Sequence, residues 1–271
     1  MIKKNINVTA IQMSSELGDK QKNIKKIKKL ISQNVKKEPD IVILPEVWTV
    51  GWACEYFKES AEDLKTGEVT NFLSQTAKDF NVNIIGGSYI TIQNGNLYNT
   101  CPVFNRNGEL IAYYNKCHLY SYYGDTEGEI VKNGENPVMV TIEGARIGLS
   151  ICYDIRFPEI YRAYALKGVD LIVNVAAWGI KKEIPWVSMT HSRAVENQCY
   201  FVALTQSGAI LNGDYNLGKS AIIDYKGDNL SQIDSGEGAI SAELDFNAQN
   251  LFRSKCAVFK DIHKNYEVKE I

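Results

Sequence analysis

Cys152 stands where an apolar run stops. The stretch "LSICYDIRFPEI", residues 149–160, is apolar up to the thiol and then places Tyr153, Asp154, Arg156, Pro158 and Glu159 behind it. A cysteine that only packs needs no such neighbours. A thiol at a strand end, just before a helix, is placed for activation. Helix N-terminal N–H groups favour thiolate over thiol and lower a pKa that starts at about 8.5. By itself the position reads equally as one more small core hydrophobe. A cysteine hydrolase also needs a base and an oxyanion donor.

Histidine is the usual base, and the chain has only His118, His191 and His263. His118 follows Lys116 by two residues and shares its strand face. His191 reads as mid-helix, and His263 lies in a polar tail. The search therefore widens to carboxylates. Glu46 ends the buried run "IVILP" just before "VW". Apolar flanks desolvate such a carboxylate and raise its pKa toward the range of a useful base. The plainer reading is a solvated glutamate at a strand end. Lys116 is a lone cation inside "IAYYNKCHLY". A buried lysine needs an anionic partner or loses its proton, and Glu46 and a Cys152 thiolate would both serve. It could also hold the oxyanion of a tetrahedral intermediate. The alternative is a lysine snorkelling to a sheet edge.

The elements that must position these residues alternate strand and helix. "NINVTAIQM" has period-two alternation, and Gly18-Asp19 opens a lysine-rich helix with the stripe Ile24, Ile27, Leu30 and Ile31. "DIVIL", "VNIIGGSY" and "DLIVNVAAW" read as buried strands. Val69–Asp79 and Ile184–Asn197 read as helices. Asn94-Gly95, Asn107-Gly108 and Glu143-Gly144 mark hairpins, and Gly227 and Gly236 mark later turns. "PDIVILPEVW" and "VDLIVNVAAW" match, each with an aspartate before the strand and a tryptophan after it. The reading is an α/β chain, a pseudo-repeated pair of mixed sheets with helices on their outer faces. No composition break divides it, so residues 1–271 form one domain.

Of the 271 residues, 45% are hydrophobic and 23% charged, with a net charge of -2. That balance fits a globular chain and argues against nucleic-acid binding. No apolar stretch spans a bilayer and the N-terminus lacks a signal-like region, so the expected location is the cytoplasm. The widely spaced Cys54, Cys101, Cys117, Cys152, Cys199 and Cys256 suggest neither disulfides nor a zinc site.

Taken in order, "LPEVWTVGW", "YNKCHLY" and "ICYDIRFPE" resemble the catalytic stretches of the nitrilase superfamily of carbon–nitrogen hydrolases. "SRAVENQCYFVA" is similar to that family's later Arg-Ala-x-Glu-Asn segment at Arg193, Glu196 and Asn197. "KNGE" is similar to its turn after the lysine. The resemblance implies an α–β–β–α sandwich and a catalytic set of Glu46, Lys116 and Cys152. It adds a second glutamate, best matched by Glu127, with Glu129 two residues on. It implies a thioester route to an acid and ammonia, with no metal and no cofactor. Tyr153 (its N–H on the oxyanion), Arg156 and Trp178 are the expected substrate-binding residues, Arg156 either bracing the turn with Glu159 or binding a substrate carboxylate. Tyr153-Asp154 after the cysteine is similar to the amidase branches, and most similar to ω-amidases and Nit-type proteins. Those act on short dicarboxylic acid monoamides and commonly dimerise through the outer helices. An N-carbamoyl amide hydrolase, or a silent small-molecule binder on the same fold, are the alternatives. The tyrosine-rich "SYYGDTEGE" and the segment "LFRSKCAVFKDIHKNY" depart from the family pattern.

Overall fold

The computed structural model describes residues 5–34, 38–121, 127–263, 267, 269 and 270. The tyrosine-rich departure therefore falls partly, at Tyr122–Thr126, outside the described residues.

Strand β1 (Asn5–Gln12) runs beside β2 (Ile41–Ile43), with helix α1 (Lys20–Asn34) between them. Asp19 starts that helix, its Oδ1 accepting the Lys22 N–H at 3.0 Å. The expected stripe lies inward at Ile27, Leu30 and Ile31, and the lysines face out. Short α2 (Phe57–Ser60) and β3 (Glu62–Asp63) lead to α3 (Glu68–Phe80). β4 (Asn83–Ile85), β5 (Tyr89–Gln93), β6 (Asn96–Phe104) and β7 (Leu110–Asn115) complete this half. The segment "VNIIGGSY" is not one strand. It breaks at Gly86-Gly87, where a Cβ on Gly87 (φ +64) would lie 2.1 Å from the Pro45 carbonyl oxygen. The close approach lets Ser88 N–H donate to that carbonyl at 3.0 Å, beside Glu46.

The second half runs through α4 (Glu127–Ile130), β8 (Val138–Ile142), β9 (Ala145–Ile151), α5 (Pro158–Leu166) and β10 (Leu171–Ala176). It continues with α6 (Glu183–Glu196), β11 (Tyr200–Thr205), β12 (Ser220–Ile223) and β13 (Asn229–Ile233). β14 (Gly238–Asp245) and α7 (Phe246–Lys255) close it. The first sheet has the order β14-β1-β2-β4-β6-β5-β3, with β7 on β6; the second is β13-β12-β11-β10-β9-β8. The Gly236 turn makes no hairpin, because β14 crosses to the first sheet and pairs antiparallel with β1.

Period-two alternation separates the layers. Ile41 and Ile43 join the core between the sheets with Leu149, Ile151, Val173 and Val175. Val42 and Leu44 point the other way, onto Ile27, Leu30, Val69 and Leu73 of α1 and α3. Ile160 and Tyr161 of α5 and Trp186 and Ala194 of α6 pack against the second sheet. The result is the expected α–β–β–α sandwich of two mixed sheets. The matched halves also correspond in hydrogen bonding. Asp40 Oδ2 accepts Asn7 N–H at 2.9 Å, and Asp170 Oδ2 accepts Arg146 N–H at 2.8 Å. Each ties down the strand beside it, β2 or β10. The carboxyl ends of β2 and β10 meet, which is where α/β sheets place their sites.

Candidate active site

Glu46 follows β2 and is fully buried. Its Oε1 accepts Lys116 Nζ at 2.9 Å and Asn99 Nδ2 at 3.1 Å. Its Oε2 accepts the Ala177 N–H, just past β10, at 2.7 Å. Gln206 Nε2 donates to its main-chain carbonyl at 2.6 Å. Both ends of the residue are therefore fixed by both sheets, which excludes the solvated-loop reading.

Lys116 lies one residue beyond β7 and is equally buried. It does not snorkel. Its Nζ donates to Glu127 Oε1 at 3.0 Å and Oε2 at 2.9 Å, as well as to Glu46. Burial alone would lower its pKa, but Glu127 and Glu46 outweigh burial and hold it well above that of an ordinary lysine. Gly134 N–H anchors the Lys116 carbonyl at 2.8 Å. Glu127 opens α4, buried, and its Oε2 also accepts Tyr120 N–H at 2.6 Å. Burial pushes its carboxyl up, Lys116 pulls it down and Glu46 pushes it up again, with a net rise. Glu129 is exposed on the same helix, so Glu127 is the glutamate that meets the lysine.

Cys152 directly follows β9 with φ +46, left-handed backbone that a non-glycine residue adopts at a cost. It is no helix cap. A tight 3-10 turn spans Cys152–Arg156, and α5 starts only at Pro158. The Glu46 carboxylate lies near enough to the thiol to act on its charge. Burial raises its pKa well above the ordinary value, Glu46 adds to the rise and Lys116 opposes it. The expected depression by a helix N-terminus is thus reversed: the resting group is a thiol beside a buried carboxylate.

The brace of this turn is Asp154, buried and missed as such in the sequence. Its Oδ2 accepts Ile151 N–H at 2.9 Å and Tyr114 O–H at 2.7 Å. Its Oδ1 accepts His118 N–H at 3.0 Å and lies 2.8 Å from His118 Nδ1. From the opposite side, Arg193 Nε and Nη2 donate to the Ile155 carbonyl at 3.2 and 2.9 Å. His118 therefore serves the turn.

These contacts bring one thiol, one lysine and two carboxylates together, in the order the sequence stretches suggested. Residues 7–253 match the carbon-nitrogen hydrolase family. The chain belongs to that family. The 2-oxoglutaramate amidase of Bacillus subtilis (strain 168) is 32% identical over 95% of this chain and 98% of its own. The chloroplastic omega-amidase of Arabidopsis thaliana is 32% identical over 91% of this chain and 69% of its own. The crystal structure of Saccharomyces cerevisiae Nit3, a member of branch 10 of the nitrilase superfamily, superposes with a TM-score of 0.88 at 27% identity, covering 98% of each chain. The chain is a carbon–nitrogen hydrolase of the Nit type within the nitrilase superfamily. Among the described residues no helix is long and apolar enough to cross a membrane, and no acidic, histidine or cysteine cluster could hold a metal.

Around the core of this carbon–nitrogen hydrolase stands an aromatic rim. Tyr153 meets Tyr120 and Phe157 edge-on at 5.5 and 5.4 Å. Trp178 is buried against Trp186, with ring centroids 5.2 Å apart. Two cations lie over the Trp178 ring, the Arg156 guanidinium at 5.3 Å and Lys182 Nζ at 5.8 Å. Lys182 Nζ also donates to Tyr120 O–H at 2.7 Å. The Arg156 guanidinium also faces the Tyr153 ring at 5.9 Å, and Asp154 braces the turn. Lys182 had no signal in the sequence beyond being one surface lysine among many.

Proposed function

We propose that the chain is a thiol-dependent amidase acting on short amides that carry a carboxylate at the far end. The observation that carries this reading is the buried Glu46 carboxylate, held by Lys116 Nζ at 2.9 Å and close to the Cys152 thiol. The Cys152 proton passes to Glu46 as Sγ attacks the amide carbonyl carbon. The oxyanion is held by Lys116 Nζ and the Tyr153 N–H. Lys116 has three N–H groups. One serves Glu46, one forks across both oxygens of Glu127, and the third is left for the oxyanion. Glu46 returns the proton to the nitrogen, the C–N bond breaks and ammonia leaves a thioester. Water attacks that thioester, its proton goes to Glu46, and the acid departs as the thiol re-forms. Glu127 keeps Lys116 charged and aimed.

The substrate class follows from the rim. Arg156 and Lys182 place two positive charges beside an aromatic wall, suited to a carboxylate whose carbon chain lies on Trp178. The same rests on likeness to the 2-oxoglutaramate amidase and the omega-amidase. An ammonia-release screen over ω-amides, N-carbamoyl amino acids, aliphatic amides and nitriles tests it. ω-Amides of dicarboxylic acids should lead. Arg156→Met should raise KM for them about 10- to 100-fold, the worth of one charge-assisted hydrogen bond, with kcat nearly kept. Preference for a neutral amide, or an unchanged KM, would move the substrate class elsewhere.

In this reading the enzyme is a cytoplasmic homodimer joined through its outer helices. Ile184, 78% exposed, and the exposed Val187 and Val195 leave α6 apolar on its outer side, as Leu166 does for α5. Light scattering on the purified chain decides between one copy and two.

A further inference from the structure

Asn99 sits within β6, fully buried, with no part in the bond-making described above. Its Nδ2 donates to Glu46 Oε1 and to Glu127 Oε1, at 3.1 Å each. Ionised carboxylates only accept, so the amide must turn its NH2 end to them. Its main-chain carbonyl accepts the Lys116 main-chain N–H at 2.9 Å, so one residue contacts both carboxylates and fixes the backbone of the lysine between them. The other end of the side chain, Oδ1, is buried with no hydrogen-bond partner among the described residues. An orphaned acceptor destabilises a fold.

We propose that Asn99 is a positioning residue that decides which oxygen of Glu46 carries the catalytic proton. This rests on Glu46 as the base. Each carboxylate oxygen offers about two lone-pair sites. On Oε1 both are occupied, by Lys116 Nζ and Asn99 Nδ2. On Oε2 one is occupied, by the Ala177 N–H. The site left on Oε2 takes the proton as the S–H bond breaks and the electron pair stays on sulfur. The same O–H then gives the proton to the departing nitrogen. Without Asn99, Oε1 has an open lone pair facing Glu127. A proton lodged there lies between the carboxylates, away from the scissile bond. The charged and titratable groups around Asn99 are Glu46 after β2, Lys116 after β7, Glu127 on α4 and Cys152 after β9.

Asn99→Leu removes both donors at similar volume. In the folded variant kcat should fall about 10- to 100-fold, the worth of hydrogen bonds to charged groups, with KM little changed. The acid limb of the kcat/KM profile should move to higher pH, because a proton is now held more readily by the pair. Asn99→Asp separates positioning from packing. The new carboxyl donates only while protonated, so its rate should partly recover as the pH falls. Should Asn99→Leu not fold, Asn99→Ser, which keeps one donor, replaces it with an intermediate loss expected. Glu46→Gln is measured alongside and should lose at least about 10²-fold. A wild-type kcat and pH profile for folded Asn99→Leu, with Glu46→Gln inactive, overturns the role of Asn99 alone. Losses that follow Tm and ignore pH in all Asn99 variants reduce it to packing. A wild-type rate in Glu46→Gln overturns the base, and this proposal with it.

Discussion

Cys152→Ala should stop ammonia release at the uncatalysed background while leaving a folded protein that still binds the amide. In the proposed route the thiol sulfur forms the thioester, and alanine has nothing to replace it. Folding should survive for three reasons. Alanine keeps the Cβ, so the left-handed backbone at this position, φ +46, is strained no more than before. Asp154 and Arg193 hold the turn through Ile151 N–H and the Ile155 carbonyl, and neither touches the sulfur. The lost sulfur leaves a cavity worth on the order of 1 kcal/mol. Thermal melting, a binding isotherm for the preferred amide and an ammonia assay on one preparation check all of this. Residual turnover well above background would remove Cys152 as the nucleophile. Unlike many reactive cysteines, Cys152 is not a standing thiolate, since burial and Glu46 raise its pKa. Its reactivity depends on proton removal during attack.

How far the sequence reaches is set by distance along the chain. Strand termini were legible because an apolar run stops where burial stops. Glu46 and Cys152 each end such a run, Lys116 stood out as a lone cation in an aromatic stretch, and the fold brings the three together. The helices followed from a 3.6-residue stripe, as in α1, and the hairpins from Asn-Gly and Glu-Gly pairs with positive φ. Partners across sheets were not legible. Asn99 looks like one more polar residue within a β-strand, yet its register on β6 puts it under two carboxylates. Asp154 was visible beside the cysteine, but its contacts to Tyr114 and His118 cross between the two sheets. The helix-activated thiol failed for a local reason. Residues 152–156 close a 3-10 turn, and Pro158, a favoured first helical residue, starts α5 only after it.

Lys116→Met should both destabilise the enzyme and remove its activity, and the two losses separate by pH. Lys116 is the cation between two fully buried carboxylates, at 2.9 Å from each. Its removal leaves Glu46 and Glu127 to repel each other out of contact with water. Breaking a buried ion pair from one side costs about 3–5 kcal/mol. The variant can relieve this by taking up a proton, most readily on Glu127, whose pKa is already raised by burial and by Glu46. A carboxyl with a raised folded-state pKa makes the native protein bind more protons than the unfolded chain. Stability then falls as the pH rises, and the Tm deficit should shrink between about pH 8 and about pH 5. Activity should not return with stability. If the third N–H of Lys116 holds the oxyanion, single-turnover acylation should drop roughly 10²–10³-fold even where the variant is fully folded. Substrate affinity, proposed above to be set at the Arg156 and Lys182 rim, should stay near that of the native enzyme. Normal acylation at a pH where the variant is folded would leave Lys116 as a counter-ion that holds two glutamates together. The oxyanion would then rest on main-chain N–H groups at the cysteine turn, and Glu127 would have no catalytic lysine to orient.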